Sequence, residues 1–249
     1  MIICLSSQLY AQISWKNWNS LQFTASVTRK LDVRISHLES FSLSGGFSRE
    51  FNQSTAQVGY EVSRHWDLSG GYTFGGSASL TDGGSRIFAR AAYKIPLAGL
   101  LSWSNSLQTE VHDAAETRYH YRFILHSRLS TRKRLDFLRL SPSVSYSLFY
   151  NLGGSPVQYY DMKTGAPTVS QTPDGFHRGR LMFSLNSKLS NNFSLSAYFM
   201  AQREFNFLTG TNQAMNVTRP TNGRIQRPFD NYNVAGLTLQ YELKCYKHR

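Results

Sequence analysis

Arg86, Ile87, Phe88, Ala89, Arg90, Ala91, Ala92, Tyr93, Lys94 and Ile95 decide the fold of this chain. Successive side chains of a strand point to opposite faces, so Ile87, Ala89, Ala91, Tyr93 and Ile95 share one face and Arg86, Arg90 and Lys94 share the other. One face is apolar, the other cationic. A wall with lipid on one side and water or polar packing on the other carries this alternation. Segments of about ten alternating residues separated by turns are the mark of a transmembrane β-barrel.

The pattern recurs along the chain. Leu21, Phe23, Ala25 and Val27 alternate with Gln22, Thr24, Ser26 and Thr28, and Ala56, Val58, Tyr60 and Val62 form a further apolar face. Leu101, Trp103, Leu107 and Val111 stand opposite Ser102, Ser104, Ser106, Gln108 and Glu110. Tyr119, Tyr121, Phe123, Leu125 and Leu129 are backed by Arg118, His120, Arg122, His126 and Arg128. Leu138 to Tyr150, Leu181 to Leu189, Phe193 to Phe199 and Ala235 to Leu243 continue it. The second strand is less regular, because His37 and Glu39 fall on the face that Phe41 and Leu43 share. Pro142 removes a ladder donor, which predicts a bulge or local break there.

Short breaks are read near Asp32, His65, Pro96, Arg132 and Asn191, and long ones near Asn52, Ser79, Asp113, Ala166 and Met215. Short turns at one end and long loops at the other are the asymmetry of outer-membrane barrels, short turns on the periplasmic side and longer loops on the extracellular side. About eleven segments can be counted, whereas bacterial single-chain barrels have an even number of strands. The expectation is therefore an all-β, antiparallel transmembrane barrel of about 12 strands, with about 10 as the alternative. A further strand would lie around Trp15 and Trp18 or between Tyr150 and Arg180.

Composition narrows the partners. The 27 basic and 15 acidic residues give a formal charge of +12, but the basic residues are dispersed at strand spacing rather than gathered on one patch, which argues against nucleic acid. Cys4 and Cys245 sit at opposite ends, so neither a disulfide framework nor a four-ligand zinc site is available, and no cofactor or metal is expected. No run approaches the roughly 20 apolar residues of a spanning helix, which leaves strands as the route across a membrane. Residues 1–12 read either as the tail of a secretory signal with a cut before Gln12 or as an ordinary apolar strand; residues 13–249 read as one domain.

Trp18 leading into a first strand with a basic end, Gly59 and Tyr60, Gly71 and Tyr72, and the mid-chain Arg118, Arg122 and Arg128 form an ordered set of motifs. Ser143, Val144, Ser145, Tyr146, Ser147, Leu148, Phe149 and Tyr150 follow, and Asn233, Ala235, Gly236 and Leu237 lie in the last strand. In this order the chain resembles the family of uncharacterised outer-membrane barrels known as domain of unknown function 2490. The resemblance covers nearly everything after Gln12 and implies a fold and a location, the bacterial outer membrane, but no reaction. Ser147 stands where that pattern leads one to expect a carboxylate.

The candidate site is a cationic inner face of Arg86, Arg90, Lys94, Arg118, Arg122, Arg128, Arg139, Arg180 and Lys188, with Glu61, Glu110, Glu204 and Glu242 as candidate lumen carboxylates. Fixed positive charge in a lumen favours anions, so passage of small anionic solutes is one reading. Another is that these groups pair and fill the lumen of a structural or adhesion barrel, since about eight strands leave an interior just filled by side chains. A barrel-embedded hydrolase would need His112, His120, His126 or His177 beside a serine and a carboxylate such as Asp113 or Asp174. A soluble lipid-binding barrel would turn the apolar face inward instead. The expected partners are outer-membrane lipid, small anionic solutes and the machinery that inserts barrels. Trp18, Trp66, Trp103, Tyr72, Tyr93, Tyr119, Tyr150 and Tyr241 are candidates for interfacial girdles. The basic run Arg132, Lys133, Arg134 reads as a solvated turn.

Overall fold

The computed structural model describes residues 13–77, 84–97, 99–205, 213–226 and 229–246; the proposed signal remnant, residues 1–12, lies outside them, as does most of the Gly/Ser-rich loop near Ser79. Each stretch of alternation becomes a strand, although those read from Arg118 and from Leu138 begin before their strands do. The first eight strands are β1 (Ser14–Ser26), β2 (Leu31–Ser42), β3 (Ser48–Glu61), β4 (Trp66–Ser77), β5 (Ser85–Leu97), β6 (Leu101–His112), β7 (Tyr121–Thr131) and β8 (Leu140–Leu152). A short hairpin of β9 (Val157–Tyr160) and β10 (Pro167–Gln171) precedes β11 (Gly175–Lys188), β12 (Phe193–Glu204) and β13 (Tyr232–Lys244).

Eleven of these strands close a barrel in the order β1-β13-β12-β11-β8-β7-β6-β5-β4-β3-β2. The expectation of about 12 strands is met to within one, and the segment count itself was the better guide. An odd barrel leaves its first and last strands running the same way, and here β1 and β13 pair in parallel from Ser14 opposite Tyr232 to Ser26 opposite Lys244. Every other neighbouring pair is antiparallel. Evenness is a consequence of all-antiparallel closure, and this seam removes the requirement.

The connections sort by end. The connections that follow β1, β3, β5, β7 and β11 lie at one end, and those that follow β2, β4, β6, β8 and β12 at the other; among the described residues the first set includes 27–30, 62–65, 132–139 and 189–192 and the second 43–47, 113–120 and 153–174. Two readings of position are corrected. Asn52 lies inside β3, paired with Glu39 and Gly76, and the loop it was meant to mark is 43–47. The turn at Arg132 is longer than its partners, because a 3-10 turn over Phe137–Arg139 sits in it, with Leu138 and Arg139 both at φ 49°. Pro142 causes no bulge. It pairs with Leu185 in register, and the β7 ladder stops at Ser143, so no β7 bond is lost to the missing N–H.

The apolar face is outside. Ile87 is 63% exposed while Phe88, its neighbour on β5, is 8% exposed, and Leu21, Ile35, Val58, Phe74, Leu107, Leu125, Phe183 and Leu237 are likewise exposed on the outer wall. This is the reverse of what a soluble lipid-binding barrel needs, and that alternative is dropped. At the short-turn end Trp66 packs on Tyr93 at 4.9 Å, and Tyr241 lies between Phe23 at 5.7 Å and Phe193 at 4.8 Å, so aromatic rings cluster at that rim of the outer wall. Trp18 and Tyr119 are corrections to the expected girdles, being 9% and 3% exposed and turned inward. Parity explains Trp18, which shares its face with Lys16 and Ser20; Tyr119 lies before β7 begins, where strand parity gives no direction.

Candidate functional site

Residues on β5, β6 and β7 meet inside the barrel because register places them side by side. Glu110 pairs across β6 with Phe88 of β5 and Arg122 of β7, and Arg86 sits opposite His112. Arg122 donates through Nε and Nη2 to Glu110 Oε2 at 2.8 and 2.5 Å, and through Nη1 to the Tyr119 hydroxyl at 2.7 Å. Gln108 Nε2 donates to Glu110 Oε1 at 2.7 Å, His112 Nε2 lies 3.0 Å from Oε2, and Arg86 Nε is 3.5 Å from Oε1. Glu110 is thus the hub for two guanidiniums and an imidazole, and it is buried with Arg122. Charge-assisted bonds in a buried setting hold such a cluster rigidly.

Aromatic rings fill the space around it. The Arg122 and Arg180 guanidiniums lie 5.5 and 4.9 Å from the Phe149 ring, and Arg180 also reaches Gln202 Oε1 at 2.7 Å. Trp18, Met200, Tyr232 and Val234 form a buried apolar patch on the inner wall, with Leu38, Phe51, Met182 and Tyr198 packed against it. The long-loop end is covered in part, leaving a space of about 330 Å³ lined by Asn52, Gly76, Arg86, His112 and Arg122. Phe229 stacks on Tyr119 at 6.2 Å, lies 4.1 Å from the Arg178 guanidinium and 5.3 Å from that of Arg118, and shares a buried cluster with Tyr119 and Met215. Asn216 clamps this cap by bonding Glu204 Oε2 and accepting the Phe229 N–H at 2.7 Å.

Toward the short turns the lumen opens. A cavity of about 480 Å³ is lined by the apolar patch, by Arg128 and Arg180, and by hydroxyls of Ser145, Ser147, Ser184, Ser196 and Thr238. It continues into a second space of about 360 Å³ that includes Gln240, Lys188, Arg34 and Glu242. Among the described residues, Arg90, Arg128 and Arg180 have no carboxylate within ion-pair reach.

The remaining sequence candidates fall in several places. Lys94 lines a space of about 350 Å³ near the turns with His65 and Ser130. Arg118 is not on a strand: it lies in the 113–120 loop, held by Glu116 through Nε at 2.8 Å and Nη2 at 2.6 Å, and faces the cap. Burial pushes the Glu116 carboxyl up, but this Arg118 contact outweighs it and leaves it below the ordinary carboxylate range. Arg139 is corrected out of the inner face, since it sits exposed in the 3-10 turn, where β8 has not yet begun. Glu61 and Glu242 are exposed near the turns, and Glu204 serves the cap through Asn216 rather than a lumen cation.

The histidine candidates do not assemble a lumenal triad. His126 Nδ1 lies 2.8 Å from Ser147 Oγ, but among the described residues no carboxylate bonds it. His177 is buried with Nε2 2.8 Å from the Pro173 carbonyl, Asp113 takes the Ser85 N–H and hydroxyl, and Asp174 takes the Gly153 N–H. His120 belongs to the 113–120 loop. Arg178 shares the parity of Arg180 and was missed because the alternation was read only from Leu181, whereas β11 begins at Gly175. Phe229 and Met215 were missed because their burial depends on loop packing. Among the described residues no group of metal-ligating side chains converges.

A family model described as a protein of unknown function, DUF2490, matches residues 15–213, from the start of β1 into the loop before β13. No curated protein matches the chain.

Proposed function

The chain belongs to the DUF2490 family of proteins of unknown function, and from that premise we propose that it is a bacterial outer-membrane barrel whose cationic lumen is a vestibule for small anionic solutes. The observation that carries this reading is the orientation of the wall, apolar side chains outward and Arg128 and Arg180 inward over a hydroxyl-lined cavity of about 480 Å³, with Arg90 lining a separate space of about 370 Å³ near the short turns. Cations with no carboxylate to neutralise them draw anions into such a space. The Glu110 cluster and the Phe229 cap narrow the long-loop end to a space of about 330 Å³ beside Arg86, His112 and Arg122, so passage is constricted there and the wider vestibule faces the short turns, the periplasmic side of an outer-membrane barrel. Membrane lipid surrounds the outer belt, and insertion uses the cell's barrel-assembly machinery.

The test is heat-modifiable gel mobility of protein extracted from outer-membrane fractions, paired with planar-bilayer recording. The expected result is a mobility shift and a small, anion-preferring conductance that rises when the cap is loosened by Phe229→Ala with Met215→Ala. A soluble, non-shifting protein would overturn the membrane reading. A shifting barrel with cation preference, or with no conductance even after the cap is loosened, would overturn the anion path and favour a structural barrel, the reading to which the packed loop end also conforms.

A further inference from the structure

The irregular second strand leaves a polar group on an otherwise apolar wall. His37 and Ser54 are directly opposed across β2 and β3, and His37 Nδ1 lies 2.8 Å from Ser54 Oγ. On its other side, His37 Nε2 lies 2.9 Å from Glu39 Oε1. Arg49 in turn holds Glu39 from above, with Nε 2.8 Å from Oε2 and Nη2 2.9 Å from Oε1. A hydroxyl, an imidazole and a carboxylate, each within hydrogen-bond reach of the next and the carboxylate fixed by a guanidinium, make the constellation that activates a serine nucleophile. It is recognised by geometry and role, not by chain order.

We propose that Ser54, His37 and Glu39 form a serine-hydrolase triad on the outer face of the barrel, acting on fatty acyl esters of membrane lipids. The substrate class rests on the reading that the apolar belt faces lipid, and it follows from depth. On the short-turn side of the triad the outer wall is Val33, Ile35, Ala56 and Val58, with Leu21 level with His37; toward the long loops come Asn17, Asn19, Asn52 and Arg49, a polar band rimmed by Phe41 stacked on Phe47 at 4.6 Å and Trp15 against Phe199 at 5.9 Å. The triad therefore stands at the border between acyl chains and headgroups, where the ester linkages of a lipid lie. His37 is open enough to be reached, its side chain being 44% exposed.

In the first step Ser54 Oγ forms a bond to the ester carbonyl carbon while its proton passes to His37. The tetrahedral oxyanion collapses, the carbon–oxygen bond to the lipid breaks, and His37 returns the proton to the departing alcohol. Water then attacks the acyl-serine ester, again losing its proton to His37, and the fatty acid leaves as Ser54 recovers its hydrogen. The sum is ester plus water to alcohol plus acid. Glu39 touches no reacting atom; it orients the ring and steadies the imidazolium, and Arg49 positions Glu39. The amide of Asn52, two residues from Ser54 on the same face, is the donor this wall offers the oxyanion, its Oδ1 being taken by the Gly76 N–H at 3.1 Å.

The experiment uses the full chain refolded in detergent, with folding of every variant verified by heat-modifiable mobility, so that its outcome is independent of conductance. Fatty-acid release is followed in two arms, phosphatidylglycerol mixed micelles and micelles of an acylated glycolipid, which separate the two lipid sources. A fluorophosphonate probe reports the nucleophile directly: Ser54 Oγ displaces fluoride from phosphorus as His37 takes the proton. The expected result is release in at least one arm, falling by on the order of 10³-fold or more in Ser54→Ala and His37→Ala, with probe label confined to the peptide carrying Ser54. Glu39→Gln lowers kcat while KM holds, a split that loss of a merely structural ion pair does not produce. Folded protein that neither releases fatty acid in either arm nor takes label would overturn the proposal, as would release that survives Ser54→Ala.

Discussion

Replacing Glu110 by Gln removes the charge at the centre of the lumen cluster and keeps its volume. In the native barrel Arg122 gives Nε and Nη2 to Glu110 and Nη1 to Tyr119, and both partners of the ion pair are buried, at 8% and 3% exposure. Without the carboxylate, the Arg122 charge lies against Phe149 and Tyr119 with only neutral acceptors, the Tyr119 hydroxyl and the new amide oxygen, and Arg86 loses its nearest counter-charge. Breaking a buried pair by removing one partner costs about 3–5 kcal/mol, a factor of roughly 10² to 10⁴ in the folding equilibrium. Urea titration of the barrel in lipid vesicles, read by tryptophan fluorescence and gel mobility, measures it. Arg122→Met added to Glu110→Gln should recover much of the loss, because an apolar side chain suits the space between the rings and the most deeply buried cation of the cluster is removed with its partner. A coupling of at least about 2 kcal/mol is expected from the double-mutant cycle. A single-variant loss below about 1 kcal/mol, or a double variant that simply adds the two losses, would refute the reasoning.

Arg128→Glu reverses a charge exposed to the cavity and pairs with nothing fixed, so stability should change little while the anion/cation permeability ratio in bilayers falls toward or below unity. Phe229→Ala removes the ring stacked on Tyr119 and covered by Arg178; a loss of about 3–5 kcal/mol of local packing should show as faster protease cleavage in the long loops while the outer strands stay protected. Acid should loosen the 113–120 loop first. Hydrogen bonds from the Ser85 hydroxyl and N–H hold the Asp113 carboxyl below its ordinary value, so its contribution is present above the usual carboxylate pKa and disappears as pH falls through the lowered folded value. Hydrogen exchange of Ser85 and Ala115 between neutral pH and about pH 3 reads this, and Ser85→Ala should move the onset of exchange upward in pH.

Much of the architecture was open to reading in the sequence. Period-2 alternation places Arg86, Arg90 and Lys94 on one face and Ile87, Ala89 and Tyr93 on the other, because side-chain direction in a strand is fixed by the backbone alone. The site was legible only in part. Arg122 and Arg180 are on the inner wall as their parity requires, but the pairing of Glu110 with Arg122 depends on the register between β6 and β7, which the residues of neither strand specify alone. Arg139 and Arg118 were misplaced where the alternation runs past the end of a strand into a turn or loop, and Arg178 was missed because β11 begins six residues before the alternation read from Leu181. His37 and Glu39 looked like a flaw in β2 until Ser54 was seen across from them on β3.

The sequence by itself determined that this chain is a two-faced β wall with one greasy and one cationic side, since that rests on backbone geometry and residue chemistry over a few neighbouring positions. Only the tertiary structure decided which side faces out, that eleven strands close through a parallel seam of β1 and β13, and that Phe229 caps the long-loop end. Alternation is blind to the sign of curvature, and closure and capping depend on contacts between residues far apart in the chain, whose free energy no local stretch of sequence records.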